Sequence, residues 1–181
     1  MTYYLNGKEI PFANKDELQK QMPVIKKKFL YADDFAKSTL EQIFLKEKLQ
    51  NAQLLTANYF SNAVLINHGN LNFTTEALPW EAQLSSLRDA IVVDANGDHL
   101  PDILIAGNYY DNNIQMGRYD ADFGTLLINK GNGKFATENI NGLQIKGQVR
   151  HIKSININHQ PAFILAKNND STIIIRFQQK K

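Results

Sequence analysis

The chain has 181 residues, of which 43% are hydrophobic and 21% charged, which is the composition of a folded domain of ordinary size and excludes a disordered chain. The net charge of +2 gives no argument for a nucleic acid or an anionic membrane as partner, and no apolar run reaches the roughly 18–20 residues of a membrane helix. Cysteine is absent, which excludes disulfides, thiolate metal ligands and cysteine nucleophiles.

The first part of the chain predicts a small hairpin and short helices. Asn6-Gly7 between two apolar stretches is a strong signal for a hairpin turn. Asn14 and Glu17 have the spacing of a capping box, in which each side chain bonds the backbone amide of the other residue. An apolar stripe over Phe35–Phe44 predicts one longer helix. Residues 1–51 are therefore expected to form a short strand followed by a segment of two or three helices.

The sequence from residue 52 onward is strand-like. Short apolar runs alternate with turns rich in Gly and Asn, which is typical of an all-β meander, sandwich or propeller. The predicted strands cover residues 52–58, 63–67, 72–78, 87–93, 102–108, 124–129, 134–140, 149–157, 161–167 and 172–177.

An internal repeat favours the propeller among these folds. Three pairs of segments match in consistent order: Val64–Phe73 with Leu126–Phe135, Arg88–Asp94 with Arg150–Asn156, and Pro101–Ala106 with Pro161–Ala166. One repeat unit corresponds to four strands, which is the size of a propeller blade. We therefore expect a mainly β chain with a small helical N-terminal segment and a partial β-propeller of about two to three four-stranded antiparallel blades. The predicted blades cover residues 52–80, 86–142 and 147–181.

One loop between two apolar runs carries oxygen side chains at regular spacing. Calcium prefers six to eight oxygen ligands at about 2.3–2.6 Å, and carboxylates on alternate residues of a tight loop can point at one centre. The alternative is a polar turn, because Asp, Asn and Gly are common in turns of any kind. The predicted calcium ligands are the side chains at loop positions one, three, five and nine and the carbonyl at position seven, namely Asp94, Asn96, Asp98, Asp102 and Leu100.

The long segment Tyr109–Phe123 is the candidate partner surface. Long loops are often functional, and Tyr and Arg are enriched at binding hot spots. The candidate partner-binding residues are Tyr109, Tyr110, Arg118, Tyr119 and Asp120. In the alternative interpretation, Arg118 pairs with Asp120 or Asp122 and the tyrosines pack on neighbouring blades.

Motifs of common enzyme classes are missing from the sequence. It contains no Gly-x-Ser-x-Gly, no phosphate-binding loop and no His-Glu-x-x-His, and the four histidines show no metal-ligand spacing. Trp80, next to Pro79, is expected to pack in the core or between blades rather than to form a platform for a sugar. No catalytic residue is predicted, and a binding module is favoured over an enzyme.

The acidic loop and the strand after it resemble a known repeat. Asp94-x-Asn-Gly-Asp-x-x-Pro-Asp102 followed by Ile103–Gly107 is similar to the calcium loop of FG-GAP/VCBS repeats, the blades of integrin-α-like β-propellers. Those repeats usually run Asp-x-Asp/Asn-Gly-Asp-Gly-x-x-Asp-Leu, and His99 replaces the second glycine here. With Leu126–Phe135, the chain resembles the carboxy-terminal part of large VCBS-repeat proteins of Bacteroidetes-type bacteria.

The resemblance implies a calcium-stabilised module of an exported bacterial protein that contacts a protein or a glycan. It implies an extracytoplasmic location (periplasm, outer membrane or cell surface), a signal peptide outside this fragment, and further blades in a parent propeller. One alternative is a propeller enzyme acting on polysaccharide, since the fold also hosts catalysis. Another is a purely structural closing segment, in which Tyr3–Leu5 pairs with Thr172–Phe177.

Overall fold

A computed structural model describes residues 2–114, 116–138 and 142–177. The protein is mainly β, with several small antiparallel sheets and a few short helices. It consists of two compact units, Met1–Asn58 and Tyr59–Lys181. Within the described ranges, no helix is long and apolar enough to cross a membrane.

The first unit begins with the predicted hairpin. Strand β1 (Thr2–Leu5) pairs antiparallel with β2 (Lys8–Pro11), and Asn6 and Gly7 take the positive φ values, 51° and 75°, that such a two-residue turn requires. Among the described residues, this sheet consists of β1 and β2.

Five short helices follow the hairpin: α1 (Lys15–Gln21), α2 (Val24–Lys28), α3 (Ala32–Ala36), α4 (Leu40–Ile43) and α5 (Lys46–Leu49). The predicted capping box opens α1. The Glu17 amide donates to Asn14 Oδ1 at 2.9 Å, and the Asn14 amide donates to Glu17 Oε2 at 3.0 Å. Both bonds satisfy backbone donors that a helix start leaves without an intrahelical acceptor.

The predicted single helix over Phe35–Phe44 is wrong, because it is divided into α3 and α4. Thr39 has extended backbone and forms a second capping box with Gln42, whose side-chain oxygen accepts from the Thr39 amide at 2.8 Å. The break lets two short helices bury Phe35 and Ile43 in one cluster with Ile25. The apolar stripe was a real signal for burial, but α3 ends at its C-cap, Lys37, and Thr39 begins a new helix.

The second unit contains nine strands among its described residues: β3 (Ala63–Asn67), β4 (Phe73–Ala77), β5 (Leu87–Val93), β6 (Asp102–Gly107), β7 (Thr125–Asn129), β8 (Phe135–Glu138), β9 (Val149–Ile157), β10 (Gln160–Lys167) and β11 (Ile173–Ile175). A 3-10 helix (Trp80–Gln83) lies between β4 and β5. The predicted strand over residues 52–58 does not form, so the first predicted blade is a sheet of two strands, β3 and β4. That run has no strand partner, and its Leu54 and Leu55 are exposed.

The central sheet is a four-stranded antiparallel meander in the order β5-β6-β7-β8. Its two inner strands are the most buried elements, and Leu104 and Leu127 are fully inaccessible. Strand β8 ends at Glu138, and the predicted continuation to Ile140 lies outside the described residues. This sheet contains the two segments on which the functional interpretation depends, the acidic loop between β5 and β6 and the long loop between β6 and β7.

A three-stranded sheet, in the order β11-β10-β9, packs beside the meander. Ala106 of the meander shares a buried cluster with Val149, Ile152, Phe163 and Leu165 of this sheet. The Ile152 amide also donates to Asp89 Oδ2 at 2.8 Å, which ties β9 to β5 directly. Together the described strands form neither a closed barrel nor a closed propeller.

The two-stranded sheet joins the meander through the 3-10 helix. The Gln83 side chain binds the backbone of Asn62, the residue just before β3. Its Oε1 accepts from the Asn62 amide at 2.7 Å, and its Nε2 donates to the Asn62 carbonyl at 2.9 Å. Ala82 is buried against Ile105 and Leu127 of the meander. The helix is therefore fixed on both sides.

We predict that Gly107→Ala is strongly destabilising. A Cβ at this position would lie 1.9 Å from the Ser86 carbonyl oxygen, a backbone atom that cannot move aside. We expect a loss of about 2–3 kcal/mol in the free energy of unfolding, measured by urea denaturation. Gly69→Ala is the control: its φ is +84° but no atom lies within 4 Å, so only backbone strain of about 1 kcal/mol is expected. Equal losses in the two variants would contradict the packing argument.

Candidate functional site

The acidic loop turns the chain from β5 into β6 with its side chains bonded to its own backbone. Asp94 Oδ1 accepts from the Gly97 amide at 2.8 Å, and Oδ2 accepts from the His99 amide at 3.2 Å. Gly97 and His99 have positive φ values of 79° and 65°. His99 thus takes the left-handed conformation that the repeat pattern assigns to glycine, which histidine tolerates better than a β-branched residue does.

Asp98 and Asn96 form a second set of bonds at the exposed tip of the loop. The Leu100 amide donates to Asp98 Oδ1 at 2.8 Å, and Asn96 Nδ2 donates to Asp98 Oδ2 at 2.8 Å. The Leu100 amide, followed by Asn96, lowers the pKa of the Asp98 carboxyl from its ordinary value. Asp98 therefore holds its negative charge readily at neutral pH.

Asp102 differs from the other three oxygen side chains because it is fully buried, with 0% of its surface exposed. Its Oδ2 accepts from the Ala95 amide at 3.0 Å, and its Oδ1 accepts from the Asn129 amide at 2.9 Å. The Asn129 side chain completes the link by donating to the Pro101 carbonyl at 3.1 Å. Asp102 thus ties the start of β6 to the loop on one side and to the end of β7 on the other.

The five predicted calcium ligands lie in one loop, but their carboxylates do not converge. Within the part of the chain that the structure describes, no three His, Asp or Glu side chains form a group that could hold a metal ion. The chemistry of the donors suits calcium, because carboxylate and amide oxygens are hard ligands. A bound ion would have to replace internal contacts such as the bond between Asn96 and Asp98.

The long loop between β6 and β7 is closed at its base. Tyr109 and Tyr119 form an isolated antiparallel bridge in which each amide donates to the other carbonyl at 2.9 Å. Ser85 Oγ donates to the same Tyr119 carbonyl at 3.1 Å. The loop tip beyond this bridge is exposed, with Ile114 and Met116 open to solvent.

Two buried polar side chains hold the ends of that loop together. Asn108 donates to the Asp122 carbonyl at 2.8 Å and accepts from the Asp122 amide at 3.0 Å. Asp122 Oδ2 accepts from the Gly107 amide at 2.8 Å, and Oδ1 accepts from Gly124 at 3.1 Å and from Thr125 at 3.3 Å. Burial raises the pKa of the Asp122 carboxyl, while these bonds oppose the shift.

Two arginines stack on neighbouring tyrosines of the loop. The Arg88 guanidinium lies 4.8 Å from the ring centre of Tyr109, and that of Arg118 lies 5.0 Å from Tyr110. Arg118 makes no ion pair with a described residue, so its expected pairing with Asp120 or Asp122 is not seen. Cation–π contacts of this kind hold a guanidinium in place while leaving its edge free to donate.

Sequence reasoning missed the residues that dock the loop on the neighbouring sheet. Asp111 Oδ2 accepts from Arg150 at 3.1 Å and from the buried Gln148 at 3.4 Å. The predicted match of Arg88–Asp94 with Arg150–Asn156 held a signal for this contact, because it aligns Arg150 with Arg88. Both equivalent arginines contact the long loop.

Trp80 is not a core residue. Its side chain is 68% exposed, whereas Ala82 of the same 3-10 helix is buried. A 3-10 helix repeats every three residues, so Trp80 and Ala82 cannot face the same side. The expectation of core packing is therefore wrong for this tryptophan.

Comparison with protein-family models, with curated proteins and with solved structures gives no match for this chain. The functional conclusion therefore depends on the residues described above. They are an acidic loop and an aromatic loop at the two ends of β6, and an exposed tryptophan beside the same sheet.

We predict that Asp102→Ala destabilises the second unit in calcium-free buffer. The change leaves the amides of Ala95 and Asn129 without their acceptor, so we expect a loss of about 2–3 kcal/mol in the free energy of unfolding. Asp98→Ala is the matched control at the exposed tip, with an expected loss below about 1 kcal/mol. Chemical denaturation in the presence of a chelator measures both. A larger loss for the control would show that Asp102 does not have this role.

We predict that Asp122 makes the protein relatively more stable in acid. Its folded-state pKa is raised above the ordinary value of 3.8, so the folded protein keeps this proton to a higher pH than the unfolded chain does. The resulting stabilisation is fully present below pH 3.8 and is lost as the pH rises through the folded pKa. The melting temperature of the wild type minus that of Asp122→Asn should therefore decrease as the pH rises from acid to neutral. A pH-independent difference would refute this.

Proposed function

We propose that this chain is a calcium-stabilised β-propeller repeat module of FG-GAP/VCBS type that binds a partner and does not catalyse a reaction. The observation that carries the proposal is the meander β5–β8, a four-stranded antiparallel sheet whose first two strands are joined by an acidic loop. A second sheet with the same meander connection, β9–β11, packs directly beside it. This arrangement of neighbouring sheets suits successive blades.

Further blades are part of the proposal. The described residues of the second unit form three sheets, which are fewer than the four to eight blades that close a propeller, so other blades of a parent propeller are the first expected partners. Sheet β9–β11 also has one strand fewer than the meander. Because unpaired strand edges favour association, additional strands would stabilise this unit.

Calcium is proposed to bind at Asp94, Asn96 and Asp98, with the Leu100 carbonyl and Asp102 nearby. The support is the donor chemistry, since four side chains with oxygen atoms lie within one short loop. Removal of the ion would leave carboxylates repelling each other in a short loop, so binding should stabilise the folded state. Extracellular calcium modules bind at about 10⁻⁴–10⁻³ M, which fits the proposed extracytoplasmic location in an exported bacterial protein.

The proposed partner surface is the long loop with Tyr109, Tyr110, Arg118, Tyr119 and Asp120. Its support is the fixed base of the loop, where Arg88 of β5 stacks on Tyr109 and Arg118 stacks on Tyr110, together with the exposed Ile114 and Met116 beyond that base. A preorganised loop loses little conformational entropy on binding, and Tyr and Arg are the residues most enriched at hot spots.

We predict that calcium raises the melting temperature of the wild-type protein and that Asp98→Ala abolishes the rise. Differential scanning fluorimetry with millimolar calcium, compared with a chelator, measures the effect. Asp120→Ala is the matched control, since it removes an exposed aspartate outside the acidic loop and should leave the rise intact. Identical melting curves with calcium and with chelator would refute the calcium part of the proposal.

A further inference from the structure

A cleft of about 450 Å³ lies between the 3-10 helix and the β7–β8 edge of the meander. Its volume is within the range of pockets that bind small ligands. The side chains that line it include two aromatic rings, two carboxylates and two hydroxyls, from Trp80, Phe123, Glu81, Glu138, Thr125 and Thr137. No Lys or Arg is among the described residues of the lining.

The two aromatic residues are exposed although their backbones are held firmly. Trp80 is 68% and Phe123 48% exposed. Trp80 begins the 3-10 helix that Ala82 and the Gln83 side chain fix to the sheet. Phe123 follows the buried Asp122, and its carbonyl accepts from the Ile145 amide at 2.8 Å. Large apolar rings that are kept in water on a rigid frame are typical of a binding surface.

Three polar side chains of the cleft are available to a ligand, whereas the Thr125 hydroxyl donates to Asp122. The carboxylates of Glu81 and Glu138 and the hydroxyl of Thr137 have no hydrogen-bond or ion-pair partner among the described residues. Carboxylates only accept hydrogen bonds, whereas a hydroxyl both donates and accepts. A matching ligand offers hydrogen-bond donors beside an apolar face, and the hydroxyls and C–H faces of a sugar meet both requirements.

We propose that this cleft binds a neutral oligosaccharide. Trp80 and Phe123 would cover the C–H faces of sugar rings, and the two glutamates would accept from sugar hydroxyls. An acidic sugar is disfavoured, because the two glutamates would repel its carboxylates and no described cation of the lining would offset this repulsion. The inference rests on the proposed binding role and narrows its ligand class, but it places the ligand in the cleft and not on the long loop.

The test uses the only tryptophan of the chain, Trp80, as an intrinsic reporter. Cellohexaose, xylohexaose, mannohexaose and maltohexaose are titrated separately at up to millimolar concentration, followed by tryptophan fluorescence and by isothermal titration calorimetry. At least one of them is expected to bind with a change in Trp80 emission. Hexagalacturonate, the acidic comparison, is expected not to bind.

Calorimetry on variants then locates the site. Trp80→Ala should weaken binding by about tenfold or more, and Glu81→Gln and Glu138→Gln should weaken it too. Phe60→Ala is the matched control, because it removes a phenylalanine that is 84% exposed and outside the cleft, and it should bind like the wild type. Equal melting temperatures establish that each variant is folded.

Two results would overturn the inference: no binding of any neutral hexasaccharide, or binding that Trp80→Ala and both glutamate variants leave unchanged. Preferential binding of hexagalacturonate would overturn it as well. The calcium-dependent melting shift is measured separately. If the protein shows this shift but binds no saccharide, saccharide binding in the cleft is refuted. The repeat-module proposal then still stands, with a protein as the expected partner of the long loop.

Discussion

Buried carboxylates that accept backbone amides hold both ends of strand β6, and the second unit depends on this constraint. Asp102 is the first residue of the strand and accepts from Ala95 and Asn129. At the last residue, the Gly107 amide donates to Asp122. Backbone amides at a strand end, or just beyond it, lack a partner in the neighbouring strand and must find another acceptor. Here two aspartates supply them, at the points where the chain leaves the sheet.

The same constraint explains the positions of the two candidate loops, the acidic loop and the long loop. The acidic loop and the long loop leave from opposite ends of β6, and each is closed by one of these aspartates. A loop whose ends are fixed can carry exposed side chains without losing the register of the sheet. The cleft also depends on this arrangement, because Phe123 follows Asp122 directly and takes its position from it.

Local signals were readable from the sequence, and contacts between distant segments were not. The strands of the meander, the Asn6-Gly7 turn and the capping box of α1 each depend on residues a few positions apart. Residues 52–58 failed as a strand because an apolar run needs a pairing edge, which composition cannot reveal. The stacking of Arg88 on Tyr109 and the exposure of Trp80 depend on tertiary packing, and so they were missed.

The division of roles among the loop carboxylates limits what the proposed calcium site can do. Both oxygens of Asp102 already accept a backbone amide, and its burial keeps it in that position with or without an ion. Affinity would then depend chiefly on Asp94, Asn96 and Asp98, and the ion would have to displace hydrogen bonds within the loop. Few charged ligands and a costly rearrangement both weaken calcium binding. A site of this kind suits surroundings where calcium is abundant, and there it would act as a constant structural ion rather than as a sensor.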